Sequence, residues 1–202
     1  MDGILDKIIE SLKAPALYLL DPSRRIYWGY LLASLVIALL IVLIQKPKPL
    51  RQFIRDLISL KRWKNSSLLL DIKLLFINNI VRILFIAPII IPIGTVAIFT
   101  TAILDEIIGP ASGHHWSRFQ IGLTYTLTLF VLSDLSRYLV HRCFHEIPFL
   151  WQFHQIHHSA TDLTPMTLYR LHPVEIIALE IRRSLVIGVT SGVFLYWFRT
   201  DL

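Results

Sequence analysis

Histidine is confined to one part of the chain, and its spacing there is typical of metal ligation. None of the eight histidines precedes His114, and six fall between His141 and His172. Five of these form two tight clusters, HRCFH (His141, His145) and HQIHH (His154, His157, His158), directly after a long apolar segment. Imidazole is the commonest biological metal ligand. Five imidazoles at helical spacing beside an apolar segment therefore predict a metal site at a bilayer surface.

The first cluster can bind one ion from successive turns of a helix. Residues four apart on a helix point to nearly the same side, which brings His141 and His145 together. Asp134 lies two turns earlier and projects in almost the same direction. Its carboxylate would orient a ligand imidazole through the other ring nitrogen, a role in the catalytic centre. The open alternative is a structural ion pair with Arg137 or Arg142.

The second cluster presents His154 and His158 on one helical face, with His157 close to it, provided that the segment is helical. Eight residues, 146–153, connect the clusters and contain Pro148, which allows a turn that brings the clusters face to face. Five ligands exceed one tetrahedral zinc site, which takes four at most. The surplus favours two metals or a higher-coordinate iron, although packing in the core would account for one or two of the histidines.

For the remaining histidines, the sequence indicates metal ligation less strongly. His172 lies in RLHPVE, where Pro173 suits the first turn of a helix. We therefore leave His172 open between a metal ligand and a residue that flanks a helix N-terminus. His114 and His115 lie in ASGHHW and are predicted to be solvated loop residues.

Composition and patterning place these residues in a membrane protein. Hydrophobic residues make up 54% of the 202 residues, more than a soluble core requires. We predict an all-α integral membrane fold with about four transmembrane helices, at 26–44, 83–104, 119–140 and a shorter 184–198. Pro88 and Pro92 would kink the second of these. The whole chain, 1–202, is predicted to be a single membrane-embedded helical domain.

The charge distribution predicts the sidedness of the metal site. The net charge of +6 is concentrated after the first span, opposed only by Asp56, in Lys46, Lys48, Arg51, Arg55, Lys61, Arg62 and Lys64. The loop 105–117 has no Lys or Arg. This asymmetry is the positive-inside pattern and not a nucleic-acid-binding surface. Counting spans from it places both histidine clusters on the cytoplasmic side.

Two amphipathic segments are predicted to lie in the membrane interface. Their apolar stripes are Ile4, Leu5, Ile8, Ile9 and Leu12 in the first, and Leu50, Phe53, Ile54, Leu57 and Ile58 in the second. The alternative for the first segment is packing on the helical bundle. The alternative for the second is packing under the histidine region. The apolar stretch 68–82 is interrupted by polar residues and is also interpreted as interfacial.

Other catalytic motifs are absent from the sequence. His145 and Glu146 begin like a zinc protease helix, but Phe149 stands where the second histidine belongs. There is no glycine-rich phosphate loop and no nucleotide-binding strand and helix unit. Electrons for any redox reaction must therefore come from outside this chain.

Residues 133–175 resemble the fatty acid hydroxylase superfamily, also called the sterol desaturase family. The resemblance rests on HxxxH followed by HxxHH, with FLW between them and an upstream Asp and Tyr. It implies a non-haem di-iron centre on the cytoplasmic face that uses O2 to hydroxylate or desaturate a lipid, with electrons from a ferredoxin, cytochrome or reduced pterin. The implied iron ligands are His141, His145, His154, His157 and His158, with His172 as a further candidate.

This chain departs from the family pattern at one point. The family has a further histidine cluster after another membrane hairpin, whereas no histidine follows His172 here. We therefore expect an N-terminal portion of a longer domain, or else a shortened variant that binds fewer ions. Two other functions stay open: a non-catalytic membrane protein that binds or transports zinc or another divalent ion, and an inactive partner subunit.

Overall fold

The computed structural model describes residues 2–45, 49–59, 65–111 and 116–198, and this part of the chain is helical with no strand. Its α-helices are α1 (Asp2–Leu17), α2 (Trp28–Gln45), α3 (Leu50–Leu57), α4 (Ser66–Val81), α5 (Ile93–Ile108), α6 (Arg118–Glu146), α7 (Pro148–His158) and α8 (Pro173–Phe198). A π-helical turn, Arg82–Ile86, follows α4, and a 3-10 helix, Pro165–Tyr169, lies between α7 and α8. The predicted all-helical class is confirmed.

The chain divides into two compact units. The first contains residues 1–85 and 155–173, and the second contains residues 86–154 and 174–202. Helix α7 is continuous through the division, which falls between His154 and Gln155.

Polar residues of α4 form the centre of the first unit. Asp71, Asn78 and Asn79 interrupt the apolar stretch, and all three are buried. Asn79 accepts a hydrogen bond from the Tyr18 hydroxyl at 2.8 Å, while the amide of Asn78 donates to the carbonyl of Leu171 at 2.8 Å. Buried polar groups need such partners. The interruptions in this stretch therefore mark a packed face of α4.

Helix α1 packs against α4 and leaves part of its predicted apolar stripe exposed. Ser11 and Pro15 of this helix are buried. Leu5 and Leu12 of the predicted stripe are 60% and 47% exposed. An apolar face without a protein partner suits the membrane interface.

Helix α3 exposes its apolar stripe, and none of its residues is buried. Leu50 is 41% exposed and Ile54 is 46% exposed, which fits the interfacial interpretation. Five of the predicted basic residues lie outside the described residues: Lys46, Lys48, Lys61, Arg62 and Lys64.

In the second unit, α5 and α8 approach closely through small residues. A Cβ built on Gly192 would lie 2.5 Å from the carbonyl oxygen of Ala97, and one on Gly188 would lie 2.5 Å from the Cβ of Val96. The Thr101 hydroxyl donates to the Gly192 carbonyl at 3.0 Å. Small residues allow such backbone approach between membrane helices.

One helix of the described residues, α2, is both long and apolar enough to cross a membrane, with a mean hydropathy of 2.3. A single such helix is weak evidence for a membrane protein. The predicted segments 119–140 and 184–198 lie within the longer α6 and α8. The predicted segment 83–104 is a broken helix and not a kinked one, because residues 87–92 are not helical. Pro88 and Pro92 lack the N–H that a continuous helix needs. The number of spans stays a prediction.

Candidate metal centre

The hairpin of α6 and α7 carries both histidine clusters. Ser117 and Gln120 form a capping box that begins α6, and Glu146 ends it. Ile147 alone joins the two helices in an extended conformation, with φ −95° and ψ 114°. Pro148 then begins α7, since its fixed φ suits a first helical position and its missing N–H has no partner to lose there. The predicted eight-residue connection is therefore a one-residue turn, because helix occupies the rest of it.

This hairpin brings imidazoles from both clusters together. Nε2 of His141 lies 3.1 Å from Nε2 of His145. The ring centre of His154 lies 4.7 Å from that of His141 and 4.8 Å from that of His145. His158 follows one turn after His154 on α7. One ligand nitrogen from each of these four histidines lies within 4.8 Å of the other three, and we call them the four-histidine group.

The spacing of His141 and His145 suits one bound ion. Two imidazole nitrogens at tetrahedral positions, each about 2.0–2.1 Å from a metal, lie about 3.3 Å apart. The pair of Nε2 atoms of His141 and His145 is already at that distance. An all-nitrogen donor set suits zinc, copper, iron or nickel. The predicted convergence of the two clusters is thus present in the structure.

The group has a buried side and an exposed side. His154 is fully buried, whereas His141, His145 and His158 are exposed. The ring of Phe144, only 2% exposed, lies 5.6 Å from that of His154, and Trp151 lies 5.4 Å from His145. Aromatic rings therefore lie beside His145 and His154, while three of the four imidazoles are exposed.

Glu175 is the residue at this site that the sequence did not predict. Its Oε2 lies 3.1 Å from Nδ1 of His154, and the two side chains are 6% and 0% exposed. The contact joins two helices across 21 positions of sequence, and no helical spacing rule reveals such a pair. The acidic residue in the first turn of an apolar helix was the available signal.

Asp134 lies on α6, two turns before His141, and is exposed. Its carboxylate makes no ion pair or hydrogen bond within the described part of the chain. The alternative partner Arg142 instead binds Glu146, with Nε 2.7 Å from Oε1. The role of Asp134 toward a ligand imidazole stays a prediction.

The other four histidines of the chain do not belong to the four-histidine group. His157 is half-buried with its ring 5.3 Å from that of His158, and it is not part of the four-histidine group. His172 is half-buried and immediately precedes α8, which begins at Pro173 as predicted. Whether His157 and His172 bind metal stays a prediction. His114 and His115 lie outside the described residues.

A cavity in the second unit is remote from the histidines. It measures about 430 Å³ and is lined by residues of the first turns of α6 and the last turns of α8, among them Arg118, Tyr125 and Phe194. Tyr125 precedes His141 by 16 residues, about 24 Å along a helix. This cavity therefore does not hold the atom that reacts at the four-histidine group.

Imidazoles grouped on a helical hairpin, in a chain whose described residues are helical, are typical of one class, the histidine-ligated metalloproteins of helical architecture. A family model described as fatty acid hydroxylase matches residues 126–200, a segment that contains the four-histidine group, His157, His172 and Glu175. The resemblance found in the sequence is confirmed for this segment. The family is one of membrane-associated oxidoreductases that use non-haem iron. Searches of curated proteins and of solved structures each gave no match.

Proposed function

We propose that this chain is a membrane-bound non-haem iron oxygenase, or part of one, that hydroxylates or desaturates a lipid with O2. The observation that carries the proposal is the four-histidine group on a segment that matches the fatty acid hydroxylase model. Two sequence clusters, separated by a turn, supply nitrogens within 4.8 Å of one another. Packing alone gives no reason for four imidazoles to converge in this way.

Iron would be held by His141, His145, His154 and His158. When bound, iron supplies the oxidising power that activates O2 toward an unactivated C–H bond. The four grouped nitrogens suffice for one ion. The second ion of a di-iron centre would take His157 and His172 as its candidate ligands in this chain.

A lipid substrate suits the surface that leads to the histidines. On α6 the face of His141 and His145 continues, at helical spacing, to Tyr138 and Phe130. Tyr138 is 57% exposed and Phe130 is 71% exposed. An acyl chain or sterol ring that lies along these side chains reaches the imidazoles from the bilayer and displaces water from them.

Exposed apolar side chains support a multi-pass membrane location. On α5, Ile98 and Phe99 are 71% and 67% exposed, and on α6 Phe119 is 75% exposed. Such residues are stable on a helix surface when lipid covers them. Together with the positive-inside pattern of the sequence, this supports a cytoplasmic position of the histidines at an inner membrane or the endoplasmic reticulum, with a ferredoxin, cytochrome or reduced pterin as the electron donor in our proposal.

The test is metal analysis of detergent-purified protein together with O2 consumption on acyl and sterol lipids. We expect bound iron and lipid-dependent O2 uptake in the wild type. His141→Gln and His158→Gln should lose both, and Gln155→Ala, on the same helix as His158, should lose neither. Equally low iron in the wild type and the histidine variants after iron loading would overturn the proposal.

The same imidazole set suits zinc, and this favours one alternative, a non-catalytic zinc protein. One experiment distinguishes the oxygenase from the zinc protein. Stoichiometric zinc that iron does not displace, with no O2 uptake on any lipid, would replace the oxygenase by that alternative.

A further inference from the structure

We propose that Glu175 is a positioning residue for the metal centre. It fixes the ring orientation and the proton of His154, so that this imidazole presents Nε2 to the metal. The inference rests on the proposed function only in requiring that the four-histidine group binds a metal ion.

Burial explains why the two side chains must act as a pair. Glu175 is 5% exposed and His154 is 0% exposed. An isolated buried carboxylate is very costly, and it persists only with a close donor or cation. Nδ1 of His154 lies 3.1 Å from its Oε2, within ion-pair distance although the two atoms are not aligned as a hydrogen bond, and this makes His154 the group placed to partner the carboxylate.

The contact selects one tautomer of the imidazole. A neutral imidazole carries its proton on one nitrogen and a lone pair on the other. A proton on Nδ1 would be stabilised by Oε2 of Glu175, 3.1 Å away, once the ring turns to align with it, and the lone pair would then be on Nε2. Carboxylates in this position fix ligand orientation and raise ligand basicity, and removing them costs about 10–100-fold in metal affinity.

His154 is the one member of the group that is buried, and it gains the most from such a partner. Its ring is held by Glu175 on one side and by the Phe144 ring, 5.6 Å away, on another. The other three histidines of the group are exposed. We therefore expect His154 to keep its position when the metal binds, and the three exposed imidazoles to adjust their positions around it.

A purely structural role for Glu175 is the competing explanation. Glu175 lies in the first turn of α8, where a carboxylate stabilises the positive end of the helix dipole. That role predicts a less stable protein with unchanged metal affinity. Metal affinity therefore separates the two explanations, whereas stability does not.

The experiment is titration of the metal-free, detergent-purified protein with Co²⁺, followed by the visible absorption of the bound ion. We expect Glu175→Gln to bind Co²⁺ about 10–100-fold more weakly than the wild type, and Glu175→Ala to be weaker still. The matched control is Glu180→Gln. Glu180 lies on the same helix and binds Arg183 at 3.1 Å, so this variant should retain wild-type affinity.

The outcomes separate this inference from the proposed function. Wild-type affinity in both folded Glu175 variants overturns the positioning role and leaves the metal centre intact. No saturable Co²⁺ binding in the wild type overturns both. If the variants do not fold, ¹⁵N NMR of the metal-free wild type decides, with the His154 signal assigned by its loss in His154→Gln. A proton on Nδ1 supports the role, and a proton on Nε2 contradicts it.

Discussion

Arg170 and Asp71 form a buried ion pair that ties the segment after the second histidine cluster to α4. The Nε of Arg170 lies 2.5 Å from Oδ1 of Asp71, and the side chains are 1% and 0% exposed. The remaining polar atoms have partners as well: Arg170 donates to Ser67 at 2.8 Å, and Asp71 accepts from the Thr167 hydroxyl at 2.9 Å. A buried pair is tolerated when its other hydrogen-bonding groups are satisfied in this way.

Removing one partner of this pair should destabilise the first unit. We expect Asp71→Ala to lower the free energy of unfolding by about 3–5 kcal/mol, because an unpaired buried guanidinium remains. Denaturant unfolding in detergent measures it. The double variant Asp71→Ala with Arg170→Met should lose less than Asp71→Ala alone. Glu146→Gln, which breaks the exposed pair with Arg142, is the control and should change little. Equal losses in Asp71→Ala and Glu146→Gln would contradict the prediction.

Neighbouring histidines of the second cluster should differ in metal binding. His158 belongs to the four-histidine group and His157 does not. We expect His158→Gln to lose most of the affinity for a first equivalent of Co²⁺, and His157→Gln to keep it. His157→Gln is the matched control, because it makes the same substitution at the adjacent position. Loss of the first equivalent in His157→Gln alone would show that the grouping in the structure is wrong.

Close packing of α8 on α5 should make Gly192 intolerant of a side chain. A Cβ there would lie 2.5 Å from a backbone oxygen, and overpacking of this kind costs about 1–3 kcal/mol. Gly192→Ala should therefore lower the unfolding temperature in detergent. Gly94, on α5, has nothing within 4 Å of a built Cβ, so Gly94→Ala should be neutral or stabilise by up to about 1 kcal/mol. A higher unfolding temperature for Gly192→Ala than for Gly94→Ala would contradict the close packing of α8 on α5.

The one cysteine of the chain tests the proposed sidedness. Cys143 is exposed and lies between His141 and His145 on α6. A membrane-impermeant maleimide should label it only in inverted vesicles or permeabilised cells. In a Cys143→Ser background, Phe119→Cys, at the other end of α6, should be labelled in intact cells. Labelling of Cys143 from outside would place the histidines on the wrong face for our proposal.

Much of the site could be predicted from sequence because helical spacing determines which histidines share a face. His141 with His145, and His154 with His158, are four residues apart on continuous helices, and the structure groups these four. Their convergence required only a turn near Pro148. The helical class follows from apolar runs long enough to span a bilayer, together with the helical periodicity of the two amphipathic segments.

What could not be predicted depends on contacts between distant positions. Asp134 shares a helical face with His141, and this spacing predicts a contact with a ligand imidazole, whereas the structure shows Glu175, on another helix, in contact with His154. Likewise, sequence alone predicts an interfacial position for Asp71 and Asn78, because their partners, Arg170 and Leu171, lie more than 90 positions away. Periodicity shows which face of a helix a residue occupies, but not what that face meets.

X-ray absorption at the iron edge of the iron-loaded protein tests the central claim most directly. The account predicts a first shell of nitrogen ligands with the outer-shell scattering of several imidazoles. It also predicts that His154→Gln reduces the imidazole contribution, while Gln155→Ala leaves it unchanged. Iron in the loaded wild type surrounded by oxygen ligands without imidazole scattering would contradict the account.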